Sequence, residues 1–432
     1  MSQPDVTMDI DHNEFLAEGA RDINAILTVT MAATMPESPA GETDTAEIII
    51  IDCSGSMGSP GSKIAEARAA CSAAVDVIRD GVAFAVIAGT HKAAACFPED
   101  GRLAVAGPQT RESAKQAVRR LKPGGGTAIG VWLRLAHQIF TSHPARLRHA
   151  ILLTDGNDES ESSDDLDAAI KLCEGVFSCD CCGVGTDWRV GELRRISAAL
   201  LGSVDIVPDP AGLAADFSAM MAESMGKRVA DVSLRIWTPQ HASIFLKQVA
   251  PAVEDLTSRR AESGPQVGDY PTGAWGPGES RDYHLAVQVS DPYAVGQHVR
   301  VAKVSLVTAS PHGPELLGDE KGVLAIWTDD GALSTRINRR VAHYTGQEEL
   351  AEAIQEGLEA RRRGDTNTAE AKLGRAVALA HQSGNEETAK LLVKVVDVVD
   401  AATGTVQLKK KVEDADEMAL DTRSTKTVRT KK

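Results

Sequence analysis

The sequence predicts an α/β protein: a doubly wound, mostly parallel sheet inserted in or joined to a β-sandwich, followed by a C-terminal helical region. Three observations carry this. Fully apolar strands alternate with amphipathic helices between about residues 45 and 226, the pattern of a parallel sheet covered on both faces. Alternating segments punctuated by Gly and Pro lie before and after that block, the pattern of antiparallel strands. From Ser334 onward the apolar spacing becomes helical.

The elements follow in order. Residues 6–10 and 24–32 are β-rich but too few to form a sheet alone. In the α/β block, strands are expected over 47–51, 82–88, 150–154, 176–183 and 204–207. Helices are expected from Ser62 to about Ile78, over 110–121 and 128–140, from Ser163 to about Cys173, and over 190–201 and 213–225. Segments 231–238, 242–247, 281–289 and 300–306 alternate again, with Gly264-Pro265 and Trp275-Gly276-Pro277-Gly278 between them. Helices are expected over 349–361, 366–383 and 386–401; the spacing of small and apolar residues from Ala360 to Leu392 suits one tetratricopeptide-like hairpin or a plain bundle.

The expected organisation is therefore N-terminal sandwich strands (1–44), the α/β domain (45–227), the rest of the sandwich (228–330), a helical hairpin or bundle (335–404) and a basic, disordered tail (405–432). A chain of 432 residues is too long for one ordinary core.

Composition excludes some functions. A formal charge of −15 argues against binding nucleic acid, which rests on Lys and Arg meeting phosphates. The first fifteen residues carry Asp5, Asp9, Asp11 and Glu14 and no apolar h-region, so no signal peptide is expected. Apolar stretches fall short of a membrane span. The seven cysteines are odd in number and confined to the first half, which points to reduced thiols in a cytoplasm.

The chemistry gathers in three segments. Ile48-Ile49-Ile50-Ile51-Asp52-Cys53-Ser54-Gly55-Ser56 is a strand ending in a carboxylate with two hydroxyls at alternate positions. Gly124-Gly125-Gly126-Thr127 is a flexible loop before a helix, and Leu152-Leu153-Thr154-Asp155-Gly156 ends a second apolar strand. Ligands of doubly wound sheets bind beyond the carboxyl ends of the strands. One cation there meets Ser54, Ser56, Thr127, Asp52 and Asp155, directly or through water. Such an all-oxygen set suits Mg²⁺, Mn²⁺ or Ca²⁺ rather than zinc or copper.

In order and spacing, Asp52-Cys53-Ser54-Gly55-Ser56, Thr127 and Thr154-Asp155-Gly156 resemble the metal-ion-dependent adhesion site of von Willebrand factor A domains. The resemblance covers roughly 45–226, and more nearly the soluble bacterial members, some of which carry a β-sandwich. It implies that Ser54, Ser56 and Thr127 bind Mg²⁺, that Asp52 and Asp155 bind directly or through water, and that a partner's Asp or Glu carboxylate completes the shell.

Other motifs read more simply. Cys179-Asp180-Cys181-Cys182 lacks the spacing of zinc hooks and suits core packing, with Cys182 on the opposite strand face from Cys179 and Cys181. Asp158, Glu159, Glu161, Asp164 and Asp165 suit a solvated loop and a helix N-terminus. No base neighbours Ser54 in sequence, so its hydroxyl reads as a ligand rather than a nucleophile. The expectation is a cytoplasmic, non-enzymatic module that docks a partner carboxylate through a divalent cation in a bacterial assembly. Two alternatives remain. One is a scaffold in a stress or Ser/Thr-phosphorylation complex acting through the helical region and the tail hydroxyls of Thr422, Ser424, Thr425, Thr427 and Thr430. The other is a metal-assisted hydrolase of phosphates or esters. The sequence names neither the partner nor the oligomeric state.

Overall fold

The computed structural model describes residues 5–34, 44–186, 188–207, 212–310, 313–336 and 338–427. Contacts divide the chain into two compact units, one built from residues 1–36 with 231–432, the other from 37–230.

The first unit opens with β1 (Val6–His12), β2 (Phe15–Ala17) and β3 (Asp22–Met31). The second unit follows as β4 (Thr45–Asp52), α1 (Ser62–Val77), β5 (Ala83–Gly89), β6 (Ala93–Phe97), β7 (Ala104–Val105), α2 (Pro108–Arg119) and α3 (Ile129–Thr141). It continues with β8 (Leu147–Thr154), α4 (Ser163–Cys173), β9 (Ser178–Val184), α5 (Val190–Ala199), β10 (Val204–Val207) and α6 (Leu213–Gly226). Its sheet runs β10-β9-β8-β4-β5-β6. It is parallel from β10 to β5; β6 and β7 lie antiparallel to β5. This is the doubly wound fold. Every residue of β4 is buried, as a central strand covered on both faces requires. On one face Ile49 and Ile51 pack with Cys71 and Val75 of α1 and Phe217 and Met221 of α6. The sequence pattern missed β6: Ala93-Ala94-Ala95 has little strand preference, and only the edge of β5 draws it into a ladder.

At the opposite end of these strands from Asp52 lies a buried charge cluster. Glu47, fully buried, accepts from Ser224 Oγ at 2.7 Å and meets His149 Nδ1 at 2.8 Å. His149 Nε2 meets Asp180 Oδ2 at 2.8 Å. The other Asp180 oxygen accepts from the backbone N–H of Ser203 at 2.6 Å and from its hydroxyl at 2.8 Å. Cys179 and Cys181 are buried in β9, and Cys182 joins the core on the other face of the sheet.

The first unit resumes with β11 (Val229–Trp237), β12 (Ser243–Ala250), β13 (Glu254–Asp255), β14 (Ala261–Gly264), β15 (Val267–Trp275), β16 (Ser280–Gln288), β17 (His298–Thr308) and β18 (Glu315–Thr328). Its two main sheets run β1-β3-β16-β12-β13 and β14-β15-β11-β17-β18-β2. β3 pairs antiparallel with β16 over nine residues, from Asp22↔Gln288 to Thr30↔Ser280. Segments from either side of the α/β unit thus share one sheet.

After α7 (Gly331–Ser334) come α8 (Arg339–Arg362), α9 (Thr366–Ser383), α10 (Glu386–Val395), β19 (Val396–Asp400), β20 (Thr405–Leu408) and α11 (Asp414–Arg423). α8 starts ten residues before the expected 349 because the Asn338 side chain accepts from Arg340 N and Val341 N, a cap that satisfies orphan donors. Its first turns pack on the sheet, where Val341 and Tyr344 join Ile26, Val249 and Ala250. Fully buried Asp282 holds the join, accepting from Thr28 Oγ1 at 2.6 Å, Tyr344 Oη at 2.5 Å and Arg340 Nη2 at 3.1 Å.

Two expectations for the C-terminus are corrected. The helix expected over 386–401 ends at Val395, and Val396-Asp397-Val398-Val399 becomes a strand paired with β20, since a β-branched run favours extended backbone. The segment expected as a disordered basic tail from 405 instead forms β20 and α11. Its acidic half decides this. Glu417 and Asp421 pair with Arg361 and Arg362 of α8 at 2.7–3.1 Å, and Ala419 and Leu420 are buried. Thr422 and Ser424 are also buried, and Thr427 Oγ1 donates to Val249 O at 2.7 Å. These hydroxyls are not displayed on a free tail for a modifying enzyme. Thr430 lies outside the described residues. Among the described residues no helix is long and apolar enough to cross a membrane.

Candidate metal centre

All five ligands expected from the sequence lie around the carboxyl ends of β4 and β8. Asp52 is the last residue of β4. The chain then turns through Ser54 and the 3₁₀ turn Gly55–Gly58 into α1. Asp155 directly follows β8, which is β4's parallel neighbour with Ile51 opposite Leu153. The third segment is stitched in by backbone: Gly55 N donates to Gly125 O at 2.9 Å and Gly124 N to Cys53 O at 2.8 Å. Glycine is required at 125, where φ is +82° and a Cβ would stand 2.6 Å from His91 Nδ1. That stitch carries Thr127 to the site just ahead of α3.

The side chains form one network. Asp52 Oδ1 accepts from Ser54 N at 2.7 Å and Oδ2 from Thr154 Oγ1 at 2.6 Å. Ser54 Oγ and Ser56 Oγ are 2.8 Å apart, and Ser56 Oγ donates to Asp155 Oδ1 at 2.7 Å. The other Asp155 oxygen lies 2.7 Å from the ammonium of Lys63, in the first turn of α1. Asp52 and Asp155 are fully buried. Burial pushes the Asp52 carboxyl above its ordinary value, against the pull of the Thr154 and Ser54 hydrogen bonds.

Gly156 marks the focus of these oxygens. A methyl group placed on it would lie 3.3 Å from Ser56 Oγ, 3.4 Å from Thr127 Oγ1 and 3.9 Å from Asp52 Oδ2. Three hard oxygens from two chain segments thus surround a space on a third segment that the missing side chain leaves open. The donor set there is hydroxyls and carboxylates, the chemistry of a hard divalent cation. Among the described residues no group of three or more His, Cys, Asp or Glu that could hold a metal converges anywhere, this cradle included; its oxygens are mostly hydroxyls. Cys53 takes no part: its thiol packs in the core and points to Ile51 O at 3.7 Å, and burial pushes it up to about 12. Ser54 Oγ lies 2.8 Å from Ser56 Oγ and also bonds the Asp52 carboxylate.

The cradle opens into a cleft of about 470 Å³ lined by Ser56, Thr127, Gly156, Glu159, Trp188 and Arg189, among others. Sequence reasoning missed three contributors: Thr154 as the donor that orients Asp52, Gly156 as the open floor, and Lys63. Thr154 and Gly156 stood in the quoted motif with no role assigned to them; Lys63 left its own trace, as a lysine in the first turn of an otherwise small and apolar helix face. Gly156→Ala places its methyl against Ser56 and Thr127, and it is expected to weaken Mn²⁺ binding about tenfold while the melting temperature moves by only a few degrees. Titration followed by electron paramagnetic resonance, with a thermal melt, checks this.

The fold and this gathering of oxygens at the strand ends define a von Willebrand factor A-type domain. The chain matches the von Willebrand factor type A domain over residues 47–206 and the von Willebrand factor type A C-terminal domain over 378–424. A solved structure described as von Willebrand factor type A from Catenulispora acidiphila is 51% identical with a TM-score of 0.93, covering 99% of this chain and 98% of that one. The chain belongs to the von Willebrand factor type A family. It also shares its fold with the ArnB paralog VWA2 from Sulfolobus acidocaldarius, at 15% identity and a TM-score of 0.60, over 96% of this chain and 97% of that one. A search of curated proteins finds no match. Domains of this family generally mediate protein–protein interaction.

Proposed function

We propose that this protein is a non-enzymatic docking module whose metal-ion-dependent adhesion site binds a carboxylate of a protein partner. The observation that carries the reading is the convergence of Ser56, Thr127 and Asp52 oxygens on the open space above Gly156. Ser54, Ser56 and Thr127 hold a divalent cation (Mg²⁺, Mn²⁺ or Ca²⁺), with Asp52 and Asp155 ligating directly or through water. When bound, the cation supplies an open coordination position that an outside anion fills. The chain's own residues do the rest. Thr154 and Ser54 N hold the Asp52 carboxylate in one orientation, and Asp155 orients the Ser56 hydroxyl. The cleft beside them leaves room for an approaching side chain, with Arg189 at its rim. The seven free thiols support a reducing, cytoplasmic location, within a bacterial assembly.

Affinity capture with the full-length chain tests this. Partners retained in 5 mM Mg²⁺ (roughly the excess over a weak Mg²⁺ site) are expected to be lost in EDTA and by Asp52→Ala in Mg²⁺. Retention in both conditions rejects the metal bridge.

A further inference from the structure

The Lys63–Asp155 pair works against holding a cation. Lys63 is buried with its side chain one-tenth exposed, and its ammonium lies 2.7 Å from Asp155 Oδ2. The opposite oxygen of that carboxylate accepts from Ser56. A fixed positive charge therefore sits one carboxylate's width from the Ser56 hydroxyl, on the buried side of Asp155, where screening is weak.

Charge counting gives the consequence. Asp52 and Asp155 bring two negative charges, and Lys63 cancels one. A divalent cation then leaves the buried site with a net surplus of one positive charge, which an outside anion neutralises. Without Lys63 the protein's own carboxylates balance the cation, and Asp155 is free to turn its second oxygen to the metal.

We propose that Lys63 is a positioning residue that holds down the site's affinity for the bare cation by engaging Asp155, so that tight metal binding requires the partner's carboxylate. The inference rests on the docking reading above. It makes metal and carboxylate binding mutually reinforcing, each raising the affinity of the other by the same factor.

The test is Mn²⁺ titration of the full-length chain, followed by electron paramagnetic resonance of free Mn²⁺, with sodium acetate as the carboxylate probe. Lys63→Met is expected to bind Mn²⁺ at least tenfold more tightly than the parent. Acetate is expected to tighten the parent severalfold and to leave Lys63→Met nearly unchanged. Damage to the fold lowers metal affinity, so a gain separates the proposed role from a structural one. The thermal melt gives a second readout. Lys63→Met leaves a buried carboxylate without its counter-charge, so its metal-free melting temperature falls, and Mn²⁺ raises it by more degrees than it raises the parent's. Lys63→Gln serves if the methionine variant does not fold. Equal or weaker Mn²⁺ binding by the variant overturns the role of Lys63 and leaves the docking reading standing. Absence of Mn²⁺ binding in parent and variant alike rejects both.

Discussion

Asp52→Asn is expected to reduce Mn²⁺ affinity about a hundredfold while the metal-free protein melts no lower than the parent. The two effects have one cause. Asp52 is fully buried at the end of a central strand, and burial pushes its carboxyl upward against the hydrogen bonds from Thr154 and Ser54. An acid whose folded value lies above its unfolded one costs stability when ionised. The amide removes that cost and keeps the Ser54 N hydrogen bond, and the Thr154 hydroxyl can rotate to accept instead of donate. It also removes the charge that a cation in the cradle needs. Calorimetry of the metal-free protein and Mn²⁺ titration read the two effects separately. A lower melting temperature with unchanged Mn²⁺ affinity would assign Asp52 a purely structural role and remove it from the site.

His149→Ala is expected to destabilise the α/β unit by about 3–5 kcal/mol, a fall in melting temperature on the order of 10 °C. The loss comes from leaving Glu47 buried without the imidazolium it pairs with, more than from the lost attraction itself. Burial alone lowers the His149 value; the Glu47 charge and the Asp180 and Glu47 hydrogen bonds outweigh it and hold the imidazole protonated well above its ordinary range. For Asp180, burial raises the value, and the His149 hydrogen bond and charge bring it below the ordinary range. The signs define the pH window. The His149 contribution is complete below its unfolded value of about 6.5 and is lost as pH rises through its higher folded value. The Asp180 contribution is complete above about 3.9 and is lost as pH falls through its lower folded value. The gap in stability between parent and His149→Ala is therefore expected to be widest between about pH 4 and 6.5 and to narrow on the alkaline side. Thermal melts across pH 4–9 check it, and a gap that widens with alkalinity would mean a neutral histidine in the fold.

The candidate metal-site residues were legible because their pattern is local. A β-branched run ending in Asp52, then hydroxyls at alternate positions, is written in consecutive residues, and a parallel sheet brings the ends of its strands to one edge. The buried strands were legible for the same reason. What interrupts a local pattern was not. β6 is alanine-rich and becomes a strand only beside β5. The acidic half of the last helix looked like part of a basic tail until Arg361 and Arg362, some fifty-five residues earlier, met Glu417 and Asp421.

The sequence by itself determined the doubly wound domain and named the five oxygen-bearing residues that the fold gathers near the ends of β4 and β8, since each depends on residue type and short spacing. Only the tertiary structure decided that a glycine leaves the cradle open, that Thr154 aims Asp52, and that Lys63 sits on Asp155. It also decided that the C-terminal segment folds back, with Val406 and Leu420 buried in a core. The physical reason is the same in each case. A buried charge or a vacant volume is defined by what stands across from it, and those neighbours come from segments that the chain order keeps apart.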